Sequence, residues 1–173
     1  MNEVMKAIID RRSVKKYKST PVEIDKIERI CQSATYTASG KNRQPSVMIA
    51  VTNKEMRDRL SRLNAEILGA KSDPFYGAPA VIVVLADMQY NTSIYDGSLV
   101  MGNLMLAAYS EGVDSCWIHR AKEMFETDEG KKILKDLGIE GNYEGIGNCV
   151  LGYRDCDYPE AKPRKDNYIY YIK

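Results

Sequence analysis

The apolar positions along this chain alternate between a helical period of about 3.6 and short unbroken runs, and the changeovers divide it into elements. Residues 2–11 carry Val4, Met5, Ile8 and Ile9 on one side, which predicts a short amphipathic helix. Thr20-Pro21-Val22-Glu23 reads as a second helix start: Thr20 caps, Pro21 fits the first helical position and Glu23 completes a capping box. Ile24, Ile27, Ile30, Cys31 and Ala34 then fall on one face. Ser46 to Thr52 reads as a buried strand. Asn53 is a cap for a helix in which Met56, Leu60, Leu63 and Ile67 recur at helical spacing and which Gly69 stops. Residues 70–79 form a loop. Ala80 to Ala86, almost all apolar and largely β-branched, predicts a strand covered on both faces. Residues 93–110 predict a helix that is apolar nearly all round from Leu99 to Tyr109, which places it in the core or in a subunit interface.

After Gly112 comes a short strand, Ser115 to Ile118. Residues 121–137 predict one helix with Ile133, Leu134 and Leu137 inward and Gly138 as its stop. Tyr143 to Tyr153 is a further strand containing Gly145 and Gly147, and Asn167 to Lys173 has strand propensity. Helices interleaved with strands predict an α/β or α+β domain with a central sheet. No repeat, low-complexity tract or flexible linker divides the chain, so residues 1–173 read as one domain. No G-x-G-x-x-G or P-loop run occurs, which excludes a Rossmann nicotinamide site and a P-loop.

Composition narrows the chemistry. Hydrophobic residues make up 44% and charged residues 28%, as in an ordinary globular protein. The formal net charge of +1 leaves no global field for nucleic acid or an acidic membrane, so any anion site is local. The one histidine, His119, and the cysteines 31, 116, 149 and 156 lack zinc-site spacing, and no metal is expected. There is no secretory leader and no apolar run of roughly 18 residues, which leads to an expectation of a cytoplasmic protein with free thiols. Twelve tyrosines stand against two phenylalanines, a bias that suits half-wet interfaces and surface loops equally.

Three polar stretches remain. Arg11-Arg12-Ser13 opens a basic run to Lys18 and offers forked donors beside a hydroxyl, a set that suits phosphate. Ser39-Gly40-Lys41-Asn42-Arg43-Gln44-Pro45-Ser46 precedes the first strand, and Lys162-Pro163-Arg164-Lys165 lies in the tail. Taken singly, each also reads as solvated surface or a self-satisfied loop. In this order, with Gly112-x-x-Ser115-x-Trp117-Ile118 after the long helix and Leu151-Gly152-Tyr153 in the late strand, the chain resembles the nitroreductase family of FMN-dependent oxidoreductases.

That resemblance implies an α+β, three-layer sandwich: a central mixed, mostly antiparallel sheet flanked by helices, in a homodimer with FMN at the interface and residues 154–173 wrapped on the partner subunit. It implies that Arg11, Arg12 and Ser13 hold the phosphate, ribityl chain and pyrimidine edge of FMN, with Lys162 and Arg164 approaching the phosphate and Lys165 as an alternative. Ser39, Asn42 and Gln44 would contact the flavin from the opposite subunit. Ile118, His119 and Arg120 would lie beside the ring, where a backbone N–H can point at flavin N5. His119 is a candidate proton donor and, as readily, a structural hydrogen bonder. Pro74, Phe75, Tyr76 and Tyr109 are candidate walls of a substrate pocket, or simply packing.

The implied activity is ping-pong transfer of electrons from NAD(P)H through flavin N5 to a nitroaromatic, quinone or similar electrophile. Alternatives are a flavin-binding storage or sensor protein, or a family variant such as an ene reductase, a dehalogenase or an oxidase of peptide-derived heterocycles. A nucleic-acid role for residues 11–18 is disfavoured by the near-neutral charge and the missing motifs.

Overall fold

The structure is a computed structural model that describes all residues from Met1 to Lys173. In chain order its elements are α1 (Glu3–Asp10), α2 (Ile24–Thr35), β1 (Ser46–Val51), α3 (Lys54–Leu68), β2 (Ala80–Asp87), α4 (Ser93–Ser110), β3 (Asp114–Ile118), α5 (Ala121–Glu126), α6 (Asp128–Asp136) and β4 (Tyr143–Gly152). The strands pair in the order β1-β2-β4-β3, every pair antiparallel. The one parallel contact is an isolated bridge from Ser13 to Ser115 on the outer edge of β3.

Strand β2 shows why the fold has three layers. Its residues are buried from Ala80 to Ala86, and alternate side chains enter different cores. Val81, Val83 and Leu85 pack with α3, α5 and α6 through Leu60, Leu63, Met124, Phe125 and Ile133. Ala80, Ile82, Val84 and Ala86 pack with α2 and α4 through Ile27, Ile30, Val100, Met101 and Leu104. The sandwich is therefore helices, sheet, helices. Asn53 caps α3 by accepting from the Met56 N–H at 2.9 Å, and Gly69 ends that helix in the left-handed region at φ 71°.

Several expectations need correction. Helix α2 begins at Ile24, three residues after Pro21: Val22 is drawn into the core, Glu23 stays extended, and its carboxylate accepts from the Tyr153 hydroxyl instead of closing a capping box. Ile24 itself is exposed. Strand β1 is an edge strand with only Val51 buried, because no strand lies beyond it. The helix expected over 121–137 is broken at Thr127, whose extended backbone (φ −69°, ψ 159°) lets its hydroxyl accept from the Gly130 N–H at 3.0 Å. The break seats Gly130 directly on the backbone of Met124 and Phe125, where a Cβ has no room, and it leaves Leu137 exposed. Residues 169–173 form no strand and lie exposed beyond a 3₁₀ turn at Asp166–Tyr168. Phe75 is fully buried beneath the Arg57 guanidinium, so it is core and lines no pocket.

Strand β4 carries a bulge opposite Val84 and Leu85 that leaves Ile146 unpaired between Gly147 and Gly145. Gly145 is required there, since a Cβ would fall on the Ala121 carbonyl at the start of α5. Gly145→Ala is expected to destabilise the protein by about 3 kcal/mol, read as a lowered denaturation midpoint. The 70–79 loop is locked to α3 by Asp73, which accepts from Arg57 Nη2 at 2.6 Å, from the Phe75 and Gly77 N–H groups at 2.8 Å each, and from the Ser61 hydroxyl. Burial pushes the Asp73 carboxyl up, but these donors outweigh it and hold it below its usual range. Its contribution is thus full above the unfolded carboxyl value, about 3.9, and fades as pH falls through the lower folded value. Asp73→Asn should cost about 1–2 kcal/mol at pH 7, and the gap between variant and wild type in denaturant titrations should narrow below about pH 4.

Candidate functional site

Helix α1 ends at Asp10, and Arg11 leaves it in an extended conformation (φ −56°, ψ 133°). The chain then runs along the edge of β3: Ser13 bridges Ser115, and the Val14 N–H donates to the Ser115 carbonyl at 3.1 Å. The tail returns to the same place. The Tyr158 hydroxyl accepts from the Arg12 N–H at 2.9 Å and donates to the Asp10 carbonyl at 3.1 Å, which pins the tail to the end of α1. As a result Arg11, Arg12 and Ser13 line one cleft of about 760 Å³ together with Lys162 and Arg164, within the usual size of small-molecule sites. Two of the three sequence stretches are thereby brought together.

The cleft is charged and unsatisfied. None of its four cations pairs with a carboxylate, and Glu160 is the one acidic residue in its wall. Arg12 spends Nη1 on the carbonyls of Ile9 and Arg11, at 2.6 and 2.8 Å. Arg12 Nε and Arg11 Nη1 are buried with no acceptor. Buried guanidinium donors without an acceptor are costly, and a multivalent anion is the group that would satisfy them. Beneath the cleft, burial pushes the Cys116 thiol up against the opposing pull of the Ser13 hydroxyl and of the Lys15 and Arg11 charges, so Cys116 is a neutral thiol and no nucleophile.

Three residues along β3 from Ser115, roughly 10 Å at the strand rise, lie Ile118, His119 and Arg120. Ile118 is buried, His119 exposed and Arg120 half-buried. The His119 imidazole makes no hydrogen bond to the protein; its backbone is what is held. The His119 carbonyl accepts from Asn64 Nδ2 at 2.9 Å and from Asn148 Nδ2 at 3.3 Å, and Asn148 Nδ2 also lies 3.3 Å from the Ile118 carbonyl. Arg120 is left-handed at φ 75°, and its Nε donates to Asn64 Oδ1 at 3.1 Å.

The third stretch sits elsewhere on the protomer. Ser39 and Gln44 border a separate small pocket beside α2 and α4, and Asn42 is joined to them by hydrogen bonds: Gln44 Nε2 donates to Asn42 Oδ1, and the Gln44 N–H to Ser39 Oγ, both at 3.0 Å. Lys41, Asn42 and Gln44 all have φ near +53° (53°, 54° and 52°), a costly conformation for side chains. The buried Asp96 anchors this loop by accepting from the Gly40 N–H at 3.0 Å and from Thr92 Oγ1 at 2.9 Å. Within one protomer the amide loop does not reach the arginine cleft.

Asn64, Asn148, Asp96 and Tyr158 were not picked out from the sequence. Asn64 carried a usable signal, because it occupies an inward position in the Leu60, Leu63, Ile67 stripe. So did Asn148, a lone amide in an apolar strand. Asp96 and Tyr158 had none for these roles, since the Gly40 N–H that Asp96 holds and the Arg12 N–H that Tyr158 holds are distant in sequence.

A family model described as Nitroreductase family matches residues 8–73 and 66–153. A protein of Archaeoglobus fulgidus whose name reads NADH dehydrogenase/NAD(P)H nitroreductase is 31% identical over 172 residues, covering 95% of this chain and 94% of its own. The crystal structure of a nitroreductase with bound FMN from Desulfitobacterium hafniense superposes with a TM-score of 0.87 at 28% identity, over the full length of both chains. A nitroreductase with bound FMN from Bacteroides fragilis superposes at 0.90 with 24% identity, again over both full chains.

Proposed function

The chain belongs to the nitroreductase family, and we propose that it is an FMN-dependent oxidoreductase that moves two electrons from NAD(P)H to a nitroaromatic, a quinone or a similar electrophile. The observation that carries this reading is the cleft at Arg11 and Arg12, with four cations free of carboxylates and two buried guanidinium nitrogens lacking an acceptor. A phosphomonoester dianion matches that donor set in charge and geometry. Arg11, Arg12, Lys162 and Arg164 hold the phosphate, and Ser13 contacts the ribityl chain. Strand β3 leads from Ser115 to Ile118, His119 and Arg120, whose backbone would face the ring. Bound FMN would supply the two-electron redox chemistry between NAD(P)H and the electrophile. The protein's task is to orient, to exclude water and to offer donors where charge develops.

The second subunit enters through surface that a lone protomer leaves exposed. Val4, Met5, Ile8 and Ile9 of α1, Ile94, Tyr95 and Leu99 of α4, and Tyr168 to Ile172 of the tail all face solvent. Apolar surface gathered in this way belongs in an interface. A homodimer would cover it, wrap residues 154–173 on the partner, and bring Ser39, Asn42 and Gln44 of one copy to the flavin held by the other. No helix is long and apolar enough to cross a membrane, and all four cysteines are free, which supports a reducing, cytoplasmic setting.

Purified protein should take up FMN and turn yellow; anaerobic NADH or NADPH should bleach it and a quinone should restore the colour. Protein that takes up no FMN overturns the reading. Arg11→Leu removes a cleft cation that makes no hydrogen bond of its own in the protomer, and should weaken FMN affinity by about tenfold to a hundredfold. Its riboflavin affinity should change little, since riboflavin has no phosphate; fluorescence titration with both ligands measures this. Sedimentation should find a dimer, and Ile8→Asp combined with Leu99→Asp should shift it toward monomer with loss of bound FMN.

A further inference from the structure

We propose that Asn64 and Asn148 are positioning residues that aim the Arg120 and His119 N–H groups out of the protein and at the flavin ring; this rests on the FMN reading above. Both amides are fully buried, at 0% exposure, and they arrive from different elements, α3 and β4. They converge on the same peptide. Asn64 donates to the His119 carbonyl at 2.9 Å and accepts from the Arg120 side-chain Nε at 3.1 Å. Asn148 supports the His119 and Ile118 carbonyls at 3.3 Å each.

The consequence is geometric. Every peptide here is trans, and a trans peptide sets its carbonyl and its N–H on opposite sides. A His119 carbonyl drawn inward therefore turns the Arg120 N–H outward, and the Ile118 carbonyl does the same for the His119 N–H. Neither N–H donates to any protein acceptor. The left-handed Arg120 (φ 75°, ψ 12°) is a conformation that arginine rarely adopts unaided, and the Asn64 bracket is what opposes its relaxation.

Packing alone does not ask for these amides. Asn148 Oδ1 is buried without a partner, a penalty that an apolar side chain of the same shape would not incur. Both amides also spend donor contacts on the sulfur of Met124, at 3.2 and 3.5 Å, which is a weak acceptor. Their other contacts all go to residues 118–120: the Ile118 and His119 carbonyls and the Arg120 side-chain Nε.

The test uses the full-length protein with FMN, in the wild type and in Asn64→Leu and Asn148→Leu. In the wild type, FMN should move the Arg120 backbone amide resonance downfield and slow its exchange with solvent. In each variant that response should be lost or halved and the rate of flavin reduction by NADH should fall about tenfold. FMN affinity should stay within about threefold, because the phosphate cluster is untouched. A merely structural role would lower the melting temperature and the affinity together while leaving the amide response intact. Wild-type protein that binds FMN without any response at Arg120, or variants that respond as the wild type does, would overturn the proposal. Absence of FMN binding in the wild type would instead mark failure of the functional reading itself. Where a leucine variant does not fold, as judged by melting, Asn64→Ala with its smaller side chain takes its place with the same expected loss.

Discussion

The hydrogen bond from the Val14 N–H to the Ser115 carbonyl, 3.1 Å long, fastens the segment after α1 to the outer edge of β3, and the charge cluster depends on it. Four cations gathered around one cleft repel each other and would spread into water if their backbones were free. The tie is reinforced downstream: the Lys18 N–H donates to the Tyr153 carbonyl at 2.8 Å, and the Asp155 N–H to the Lys16 carbonyl at 2.9 Å. Between these stitches Val14 and Tyr17 turn into the core while Lys15, Lys16 and Lys18 face water. The basic run is thus an added, partly buried border to the sheet. Its rigidity comes from apolar burial at two positions; its charge is carried by the positions between and before them.

Strand β3 then works as a ruler. One end receives the arginine segment and the other delivers the Ile118–Arg120 backbone, with the span fixed by strand geometry. It is a short strand, paired with β4 through Asp114–Gly152 to Ile118–Asn148 and bordered on its outer side by the segment at Ser13 and Val14. What keeps it in place is β4, which is buried along most of its length and sits between β3 and the central β2. The bulge at Ile146 matters here because it interrupts the regular pairing with β2 just where α5 crosses, and Gly145 makes room for the Ala121 carbonyl. The amide loop is held by a different device. Three side-chain-bearing residues at positive φ are kept there by Asp96, a buried carboxylate on α4 that receives the Gly40 N–H. Backbone strain of this kind persists only where surrounding bonds over-determine it.

Much of this was legible in the sequence, and the pattern of success has physical reasons. Strand β2 and helix α4 were readable because burial on one or both faces writes itself into unbroken apolar runs. Asn53 and Gly69 were readable because caps act within three or four residues. The failures share a cause: tertiary contact overruled a local signal. The capping box at Thr20–Glu23 lost to burial of Val22 and to the Tyr153 hydroxyl, 130 residues away. The helix over 121–137 lost to the close approach of Gly130 to the Met124–Phe125 backbone. Motif order grouped Arg11, Arg12, Lys162 and Arg164, and these residues share a cleft. The supporting residues escaped, because Asn64 and Asn148 look like interruptions of apolar stripes until the His119 carbonyl is seen between them.

Polar residues inside an apolar stripe are usually read as tolerated defects, yet the energetics argue otherwise here. A buried amide must recover its lost hydration through hydrogen bonds, and in a helix facing a sheet the nearby backbone groups are already paired. Asn64 and Asn148 recover theirs from the one stretch that cannot satisfy itself, the turn from β3 into α5. That turn has a left-handed residue and carbonyls aimed at the core, and its N–H groups are free. The defects in the stripes and the irregularity of the turn are complementary: each would be unstable alone, and together they fix a pair of outward donors on a rigid base. The same logic runs at the other end of β3, where Tyr158 offers its hydroxyl to the Arg12 N–H and the Asp10 carbonyl just where α1 runs out of partners. In both places an element's end, which always leaves backbone groups unmet, is finished by a side chain from far along the chain. The groups left over, outward N–H donors and unpaired guanidinium nitrogens, all lie along the single line of β3.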